Sequence, residues 1–263
     1  MDSVVIRRYI RFLTTIIVRS SRTWSLLVLS AVVPIIMMYI NSYPSSANGW
    51  NRFFFTYGNH YFRYLFLIPI YIAIVMDIVN DGPIMQYILP SLRLKRNWLF
   101  TKFVTVFLWS IVYTCATYGV SMQVAGIWGN GDAWSEYTLG GNDMYTSFYL
   151  NLLPKQAVLL FVVRFFIGLL FISALYISLQ CITRRRSHTI SIVAVVTYLA
   201  VNIVMKIGNV PILRSIDISN LYVFHFESSY NLAWFLIQSN LPLSVVISAF
   251  IGISMWLVKE ADY

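Results

Sequence analysis

Residues 158–181 have the sequence VLLFVVRFFIGLLFISALYISLQC and contain one charged side chain, Arg164. A helix needs about 20 mostly apolar residues to cross the hydrocarbon core of a bilayer. This stretch has the length and the composition for one such crossing. The sequence therefore predicts a transmembrane helix here, and the fold depends on how often the pattern recurs along the chain.

The composition of the whole chain agrees with a fold built mainly of such helices. Of its 263 residues, 59% are hydrophobic and 11% are charged, and the mean hydropathy is +0.70. A soluble domain typically contains about 25% charged residues, so a water-soluble fold has no means of hiding this much apolar surface. We expect one all-α integral membrane domain over residues 1–263.

The apolar pattern recurs often enough to predict six transmembrane helices in total. Pro34 lies inside the first of them, where a membrane helix tolerates proline because neighbouring groups satisfy the freed backbone atoms. The predicted spans cover residues 24–40, 61–79, 103–125, 158–181, 190–204 and 241–258.

The N-terminal residues 1–23 show a different pattern, with apolar and basic side chains on opposite faces of one helix. The apolar face holds Val5, Tyr9, Phe12, Leu13 and Ile16, and the basic face holds Arg7, Arg8 and Arg11. This pattern is typical of a helix that lies in the membrane interface with its arginines towards lipid phosphates. A signal peptide is the alternative, but the basic residues continue to Arg22, beyond a normal charged leader region.

The basic residues predict the orientation of these helices, because cytoplasmic loops of membrane proteins are enriched in Lys and Arg. If the N-terminus is cytoplasmic, most of the 19 basic residues fall on the cytoplasmic side. We therefore expect both termini in the cytoplasm. The residues on that side are Arg7, Arg8, Arg11, Arg19, Arg22, Arg93, Lys95, Arg96, Lys102, Arg184, Arg185, Arg186 and Lys259.

The segments on the opposite side differ in character. Residues 128–156 are rich in glycine and acidic residues, which indicates an irregular, polar external loop. Residues 205–240 are aromatic but are broken by Gly208 and Pro211. Aromatic side chains favour the membrane interface, so we expect this second segment to lie at the external interface or to dip into it.

The segment at residues 80–102 contains the most informative motif, NDGPIMQYILPSLRLKR at positions 80–96. Asp81 or Gly82 is suited to cap a helix, and Pro83 is suited to its first turn. Pro90 ends the helix, since the residue before a proline avoids the α conformation. We expect a helix of about two turns with an apolar stripe of Ile84, Met85, Ile88 and Leu89.

This segment resembles the loop between the second and third spans of ABC-2-type transporter permeases, in which the loop forms a coupling helix that docks into an ATPase subunit. The matching positions are Asp81, Gly82, Pro90, Arg93 and Lys102. The sequence departs from the family at Pro83, where threonine is common, and in the longer spacing from Pro90 to Lys102. The coupling site implied by the resemblance comprises Asp81, Gly82, Pro83, Ile84, Met85, Tyr87, Ile88, Leu89, Pro90, Arg93 and Lys102.

The resemblance implies a multi-pass permease of the bacterial cytoplasmic membrane that exports an amphipathic substrate, such as a peptide, a drug-like molecule or a lipid. It implies separate ABC ATPase subunits as partners, together with a second permease copy or a related permease and membrane lipid. ATP and Mg would be bound by the partner subunit. The chain lacks G-x-x-x-x-G-K-[ST], the motif that cradles phosphates, so we expect no cofactor in this chain.

Three charged residues fall in or near predicted spans: Arg63, Asp77 and Arg164. An unpaired charge is costly there, and each side chain can snorkel towards water or headgroups. Arg164 has an alternative role, since it can face a cavity and meet an anionic substrate or lipid group. We therefore treat Arg164 as the candidate residue of a substrate path.

Other functions remain open at the level of sequence. The basic segment 80–102 also fits a lipid contact, and the chain also fits a nonenzymatic scaffold, an immunity protein, or a polysaccharide or glycolipid exporter permease. No catalytic cluster or metal-binding spacing is evident, and Cys115 and Cys181 are far apart. We therefore expect no catalytic or metal site in this chain, and no nucleic-acid partner, because the basic residues lie beside the spans.

Overall fold

The computed structural model describes residues 3–41, 43–79, 95–128, 132–140, 152–182, 188–208 and 232–260. This part of the chain is helical and contains no strand. The helices are α1 (Ser3–Arg19), α2 (Ser21–Ile40), α3 (Gly49–Gly58), α4 (His60–Phe62), a π-helix (Arg63–Leu67), α5 (Ile68–Val79), α6 (Lys95–Trp128), α7 (Glu136–Leu139), α8 (Pro154–Ile182), α9 (His188–Gly208) and α10 (Leu232–Glu260).

Four of the described helices are long and apolar enough to cross a membrane: α2, α6, α8 and α10. These contain the predicted first, third, fourth and sixth spans. The predicted second span, 61–79, lies in the continuous helical stretch from α4 through the π-helix to α5, and α3 meets the helix from Arg63 to Val79 at an angle of 63°. Counting that pair as one span gives five.

The predicted fifth span lies in α9, whose described apolar part, Ile190–Ala200, is shorter than a membrane crossing. Six spans therefore stay a prediction. The predicted coupling segment from Asp81 to Arg93, the basic run at 184–186, and most of segment 205–240 lie outside the described residues.

The hydrophobic core is centred on α8, which packs against α10, α6, α9 and α5. Of its membrane-spanning stretch, 61% is buried, compared with 28% for α2 and 17% for α10. The second centre is α6, which contacts α1, α2, α3 and α5. α2 and α10 therefore form the edges of the bundle and present apolar faces outward.

The N-terminal helix packs against the bundle through a stripe formed by Ile6, Tyr9, Leu13 and Ile17, and it contacts α2, α5 and α6. The helix and its exposed arginines agree with the sequence pattern. Of the predicted apolar face, Tyr9 and Leu13 are buried against protein, whereas Phe12 and Ile16 are exposed. The apolar side chains of α1 therefore lie on two surfaces, one that packs against the protein and one that is exposed.

The α3 end of the bundle is held by a capping box at the start of α3. The Asn48 side chain accepts from the Trp50 and Asn51 backbone N–H groups at 3.0 and 3.3 Å, and the Asn51 side chain accepts from the Asn48 N–H at 3.1 Å. The Asn51 amide also donates to Thr138 Oγ1 at 2.7 Å. These bonds satisfy donors of the helix N-terminus and join α3 to the segment 132–140.

Candidate functional site

Lys102 lies in the first turns of α6 and is fully buried. Its ammonium group donates to the backbone oxygen of Val79, the last residue of α5, and lies 4.8 Å from the centroid of the Trp98 ring. Helix C-terminal carbonyls lack intrahelical donors and lie at the negative end of the helix dipole. Lys102 therefore neutralises the end of α5 and connects it to α6.

Arg63 makes the same kind of contact at the other end of the helical stretch from Arg63 to Val79. Its Nη2 donates to the Gly58 oxygen at 3.0 Å, and Gly58 is the last residue of α3. The guanidinium lies 5.2 Å from the centroid of the Phe161 ring of α8. Because the side chain is 2% exposed and directed to Gly58, the snorkelling expected from the sequence is not what the structure shows.

A third, more open contact of this kind involves Arg52 of α3. Its Nη1 donates to the Met38 oxygen in the last turn of α2 at 3.3 Å, and its guanidinium lies 5.0 Å from the Tyr43 ring centroid. The ends of α2, α3 and α5 are thus each bound by a cation from later in the chain, which lies in α3, the π-helix and α6 respectively. We call Arg52, Arg63 and Lys102 the capping cations.

The π-helix that begins at Arg63 is held in place by α6. The π-helical hydrogen-bond pattern displaces backbone groups from the α ladder and occurs frequently at functional sites. Tyr113 of α6 donates its hydroxyl at 2.7 Å to the backbone oxygen of Leu67, the last residue of the π-helix. The transition from π-helix to α5 is therefore fixed against the central helix.

An aromatic cluster surrounds Arg63 at the interface of α3, α6 and α8. Tyr57 and Tyr118 have ring centroids 4.4 Å apart, and Tyr118 contacts Phe161 and Phe165 at 5.8 and 5.1 Å. Aromatic faces are electron-rich and favour a cation. The cluster therefore gives the guanidinium a favourable environment inside an apolar bundle.

Arg164, the residue predicted for a substrate path, is 4% exposed and lies one helical turn after Phe161. Its Nη1 lies 3.5 Å from Asn240 Oδ1, at the limit of a hydrogen bond. Asn240 belongs to α10 and is also buried. Arg164 thus faces the α8–α10 interface rather than water. Arg164 belongs to α8, and Arg63 contacts Phe161 of the same helix.

Buried hydroxyl groups connect the central helices. The Tyr71 hydroxyl of α5 lies 2.5 Å from both Ser110 Oγ of α6 and Ser173 Oγ of α8. The Ser254 hydroxyl of α10 donates to Ser178 Oγ of α8 at 2.7 Å. Small residues and hydroxyl pairs are typical of helix–helix contacts in membranes, so this seam supports packing rather than chemistry.

An ion pair lies at each end of the bundle, the end that carries α1 (the α1 end) and the end that carries α3 (the α3 end). Arg22 of α2 and Asp77 of α5 form an ion pair at 3.2 Å near Lys102, on the α1 end. Lys155 and Asp132 pair at 3.5 Å on the α3 end. Among the described residues, no group of three His, Cys, Asp or Glu side chains is placed to hold a metal ion. The arrangement binds and positions charge; it offers no catalytic constellation within the described ranges.

These helices and their composition are those of an α-helical membrane protein with four or five candidate spans. No protein-family model matches the chain, and no curated protein or solved structure is significantly similar to it. The site therefore has to be interpreted from its own geometry.

Lys102 was predicted as a site residue at the start of the third span, and the structure places it beside the end of α5. The importance of Arg52 and Arg63 was missed, because both were isolated basic residues in sequence. For Arg63, one available signal was its position five residues beyond Gly58. Arg164 lies in a separate interface and is not brought together with Lys102.

Proposed function

We propose that the chain is the membrane-spanning permease subunit of an ATP-driven exporter of the ABC-2 type, with separate ATPase subunits. The observation that supports this most strongly is the contact between Lys102 and the Val79 oxygen. Val79 and Lys102 flank the segment that resembles a coupling helix. Motion of that segment therefore acts on α5 and α6 together.

The described geometry suggests how such motion would travel. α5 is anchored at Val79 by Lys102 and in its first turn by the hydroxyl contacts of Tyr71, and the π-helix before it is fixed by Arg63. A displacement at Val79 would shift the α5–α6 pair against α8 instead of bending one helix. In two-state transport, the substrate binds with different affinity to the two arrangements of the helices. In this proposal the chain itself supplies no covalent chemistry.

The substrate in this proposal is an amphipathic molecule, with a peptide or small amphiphile first. A bundle rich in aromatic and aliphatic side chains favours apolar groups, and the buried Arg164 favours an anionic group at the α8–α10 interface. The path would be completed by a second permease copy or a related chain, with the apolar faces of α2 and α10 at the edges of the bundle.

Affinity capture of an ATP-binding-cassette subunit tests this function. Burial of an apolar side chain contributes about 1.5–3 kcal/mol, so the Ile88→Asp variant should lose the ATPase and transport while still inserting. Gln86→Asp is the matched control, since it adds the same charge to the same predicted helix off the apolar stripe. If wild-type protein in mild detergent recovers no nucleotide-binding subunit, the permease proposal is wrong and a scaffold is favoured.

Orientation in the membrane is tested by cysteine labelling from outside, after Cys115 and Cys181 are replaced by serine. The proposal places the exposed Leu139 outside and the exposed Arg19 in the cytoplasm. A membrane-impermeant maleimide should therefore label Leu139→Cys in intact cells but label Arg19→Cys only after lysis. The reverse pattern would invert the proposed topology.

A further inference from the structure

A groove of about 470 Å³ opens on the surface at the α3 end of the bundle. It is lined by Trp50 of α3, Lys155 of α8, and α6 residues that include Gly119, Met122 and Gly126. Small-molecule sites commonly enclose about 300–1,000 Å³. The groove is therefore large enough for part of an amphipathic ligand.

The groove exists because two helical glycines leave space that nothing in the described chain fills. A Cβ atom added at Gly119 would meet no atom within 4 Å, and one at Gly126 would meet the Trp50 ring at 3.7 Å. Glycine inside a helix is less favourable than alanine. No close approach of helices requires glycine at position 119, so the open space there is not a consequence of internal packing.

One end of the groove is cationic. Lys155 Nζ lies 3.5 Å from Asp132 Oδ2, with the lysine side chain 55% exposed. Asp132 also accepts the Lys155 backbone N–H at 3.1 Å through its other oxygen. Exposed ion pairs of this kind are weak, so the ammonium group is accessible to a second anion that approaches along the groove.

We infer that this groove binds one phospholipid molecule, with an acyl chain against the Gly119–Gly126 face of α6 and the phosphate at Lys155. Apart from Gln123 and the cation Lys155, the described lining residues are apolar or glycine, and such a lining complements an anionic head attached to an apolar chain. The groove lies beside α6 and α8, both candidate spans, and the exposed neighbours Val120 and Ile127 are apolar. The inference is independent of export and goes beyond the proposed function.

The test measures phosphatidylglycerol bound per chain by native mass spectrometry, using the full chain purified in mild detergent. Diacylglycerol with the same acyl chains is the probe that lacks the phosphate. We expect one saturable phosphatidylglycerol per chain and much weaker binding of diacylglycerol. Lys155→Gln should weaken phosphatidylglycerol binding about fivefold, the size of effect typical of one basic residue near anionic lipid.

Two glycine variants distinguish lipid binding in the groove from nonspecific lipid contact elsewhere on the protein. Gly119→Leu fills the groove and should abolish the saturable binding. Gly252→Leu is the matched control, because Gly252 is an exposed helical glycine of α10 whose added Cβ also meets nothing within 4 Å. Asp132→Asn removes the ion pair but keeps an acceptor for the Lys155 N–H, so it should retain or strengthen binding.

Several outcomes would overturn the assignment. Equal losses in Gly119→Leu and Gly252→Leu would show nonspecific lipid contact. Equal binding of diacylglycerol, or a Lys155→Gln variant with wild-type affinity, would exclude the phosphate contact, and this comparison stands even if Gly119→Leu does not fold. Conversion of a dimer to a monomer by Gly119→Leu, with lipid binding unchanged, would show that the groove holds a second copy of the chain.

Discussion

Arg63 and Lys102 solve the same physical problem at opposite ends of one helical segment, but they are connected differently. Each places a cation on the last carbonyl of a helix and beside an aromatic ring. The ring at Arg63 is Phe161 of α8, a separate helix. The ring at Lys102 is Trp98, one turn earlier in the same helix.

This difference determines how many elements each cation connects. Arg63 joins α3, the π-helix and α8, so its loss disturbs three elements. The contacts of Lys102 with Val79 and Trp98 connect α5 and α6. Reversible motion requires a contact that can change without unfolding the rest, so the α1 end is better suited to transmit movement and the α3 end to resist it.

The largest effect is expected from Arg63→Ala. The change removes a large buried side chain and leaves the Gly58 oxygen without this donor, so we expect a loss of about 3–5 kcal/mol in the free energy of unfolding. Unfolding in mixed detergent micelles, followed by circular dichroism, measures it. Arg52→Ala is the control, since its site is more exposed and its loss should be below about 1 kcal/mol. Equal losses in both variants would contradict the role of the buried ring.

A smaller effect is expected from Lys102→Met, which keeps the apolar stem but removes the donor to the Val79 oxygen. An unsatisfied buried carbonyl costs about 1–3 kcal/mol, and we expect about 2 kcal/mol in the same unfolding measurement. Under the permease proposal, this variant should bind the ATPase but lose transport. Lys102→Arg, which keeps a donor, should restore part of both properties. A Lys102→Met variant with wild-type stability would show that the contact contributes nothing.

Much of the fold was predictable because a long apolar run has few alternatives to a membrane helix. The predicted spans 24–40, 103–125, 158–181 and 241–258 each lie within a described helix. The predicted second span, 61–79, likewise lies in one uninterrupted helical stretch, but the helix α3 before it was not predicted. α3 precedes it at 63°, and the Asn48–Asn51 capping pair was the available sequence signal for a new helix there.

Whether an individual side chain packs against protein or is exposed was less predictable. In the N-terminal helix, Tyr9 and Leu13 pack inward while Phe12 and Ile16 are exposed, although all four are apolar. Lipid and protein interior are both apolar environments, so hydrophobicity does not separate the two faces. The role of Arg63 was missed for a related reason. An isolated arginine near the end of a span has the same sequence pattern whether it snorkels or binds a helix terminus.

Tyr71→Phe tests how strongly the first turn of α5 is held between Arg63 and Lys102. The variant removes the hydroxyl contacts to Ser110 and Ser173. Each serine also donates to a carbonyl of its own helix, at Val106 and Leu169, so neither loses its last partner. Interhelical hydrogen bonds in membranes average about 0.6 kcal/mol, and we expect a loss of about 1 kcal/mol. A loss above that of Lys102→Met would place the main anchor of α5 at Tyr71, in its first turn.

The smallest effect is expected at the Arg22–Asp77 ion pair, which lies on the α1 end beside the Lys102 contact. The two side chains are 61% and 30% exposed at an N···O distance of 3.2 Å, and pairs of this kind contribute about 0.2–1 kcal/mol. A double-mutant cycle with Arg22→Ala and Asp77→Ala should give a coupling energy of about 0.5 kcal/mol or less, reduced further by salt. The wild-type protein and both single variants provide the matched reference states.

A coupling energy as large as the Lys102→Met effect would mean that α5 is fixed to α2 as firmly as to α6. The α1 end would then resist movement as the α3 end does, and the distinction between the two buried cations would no longer explain how motion reaches the bundle.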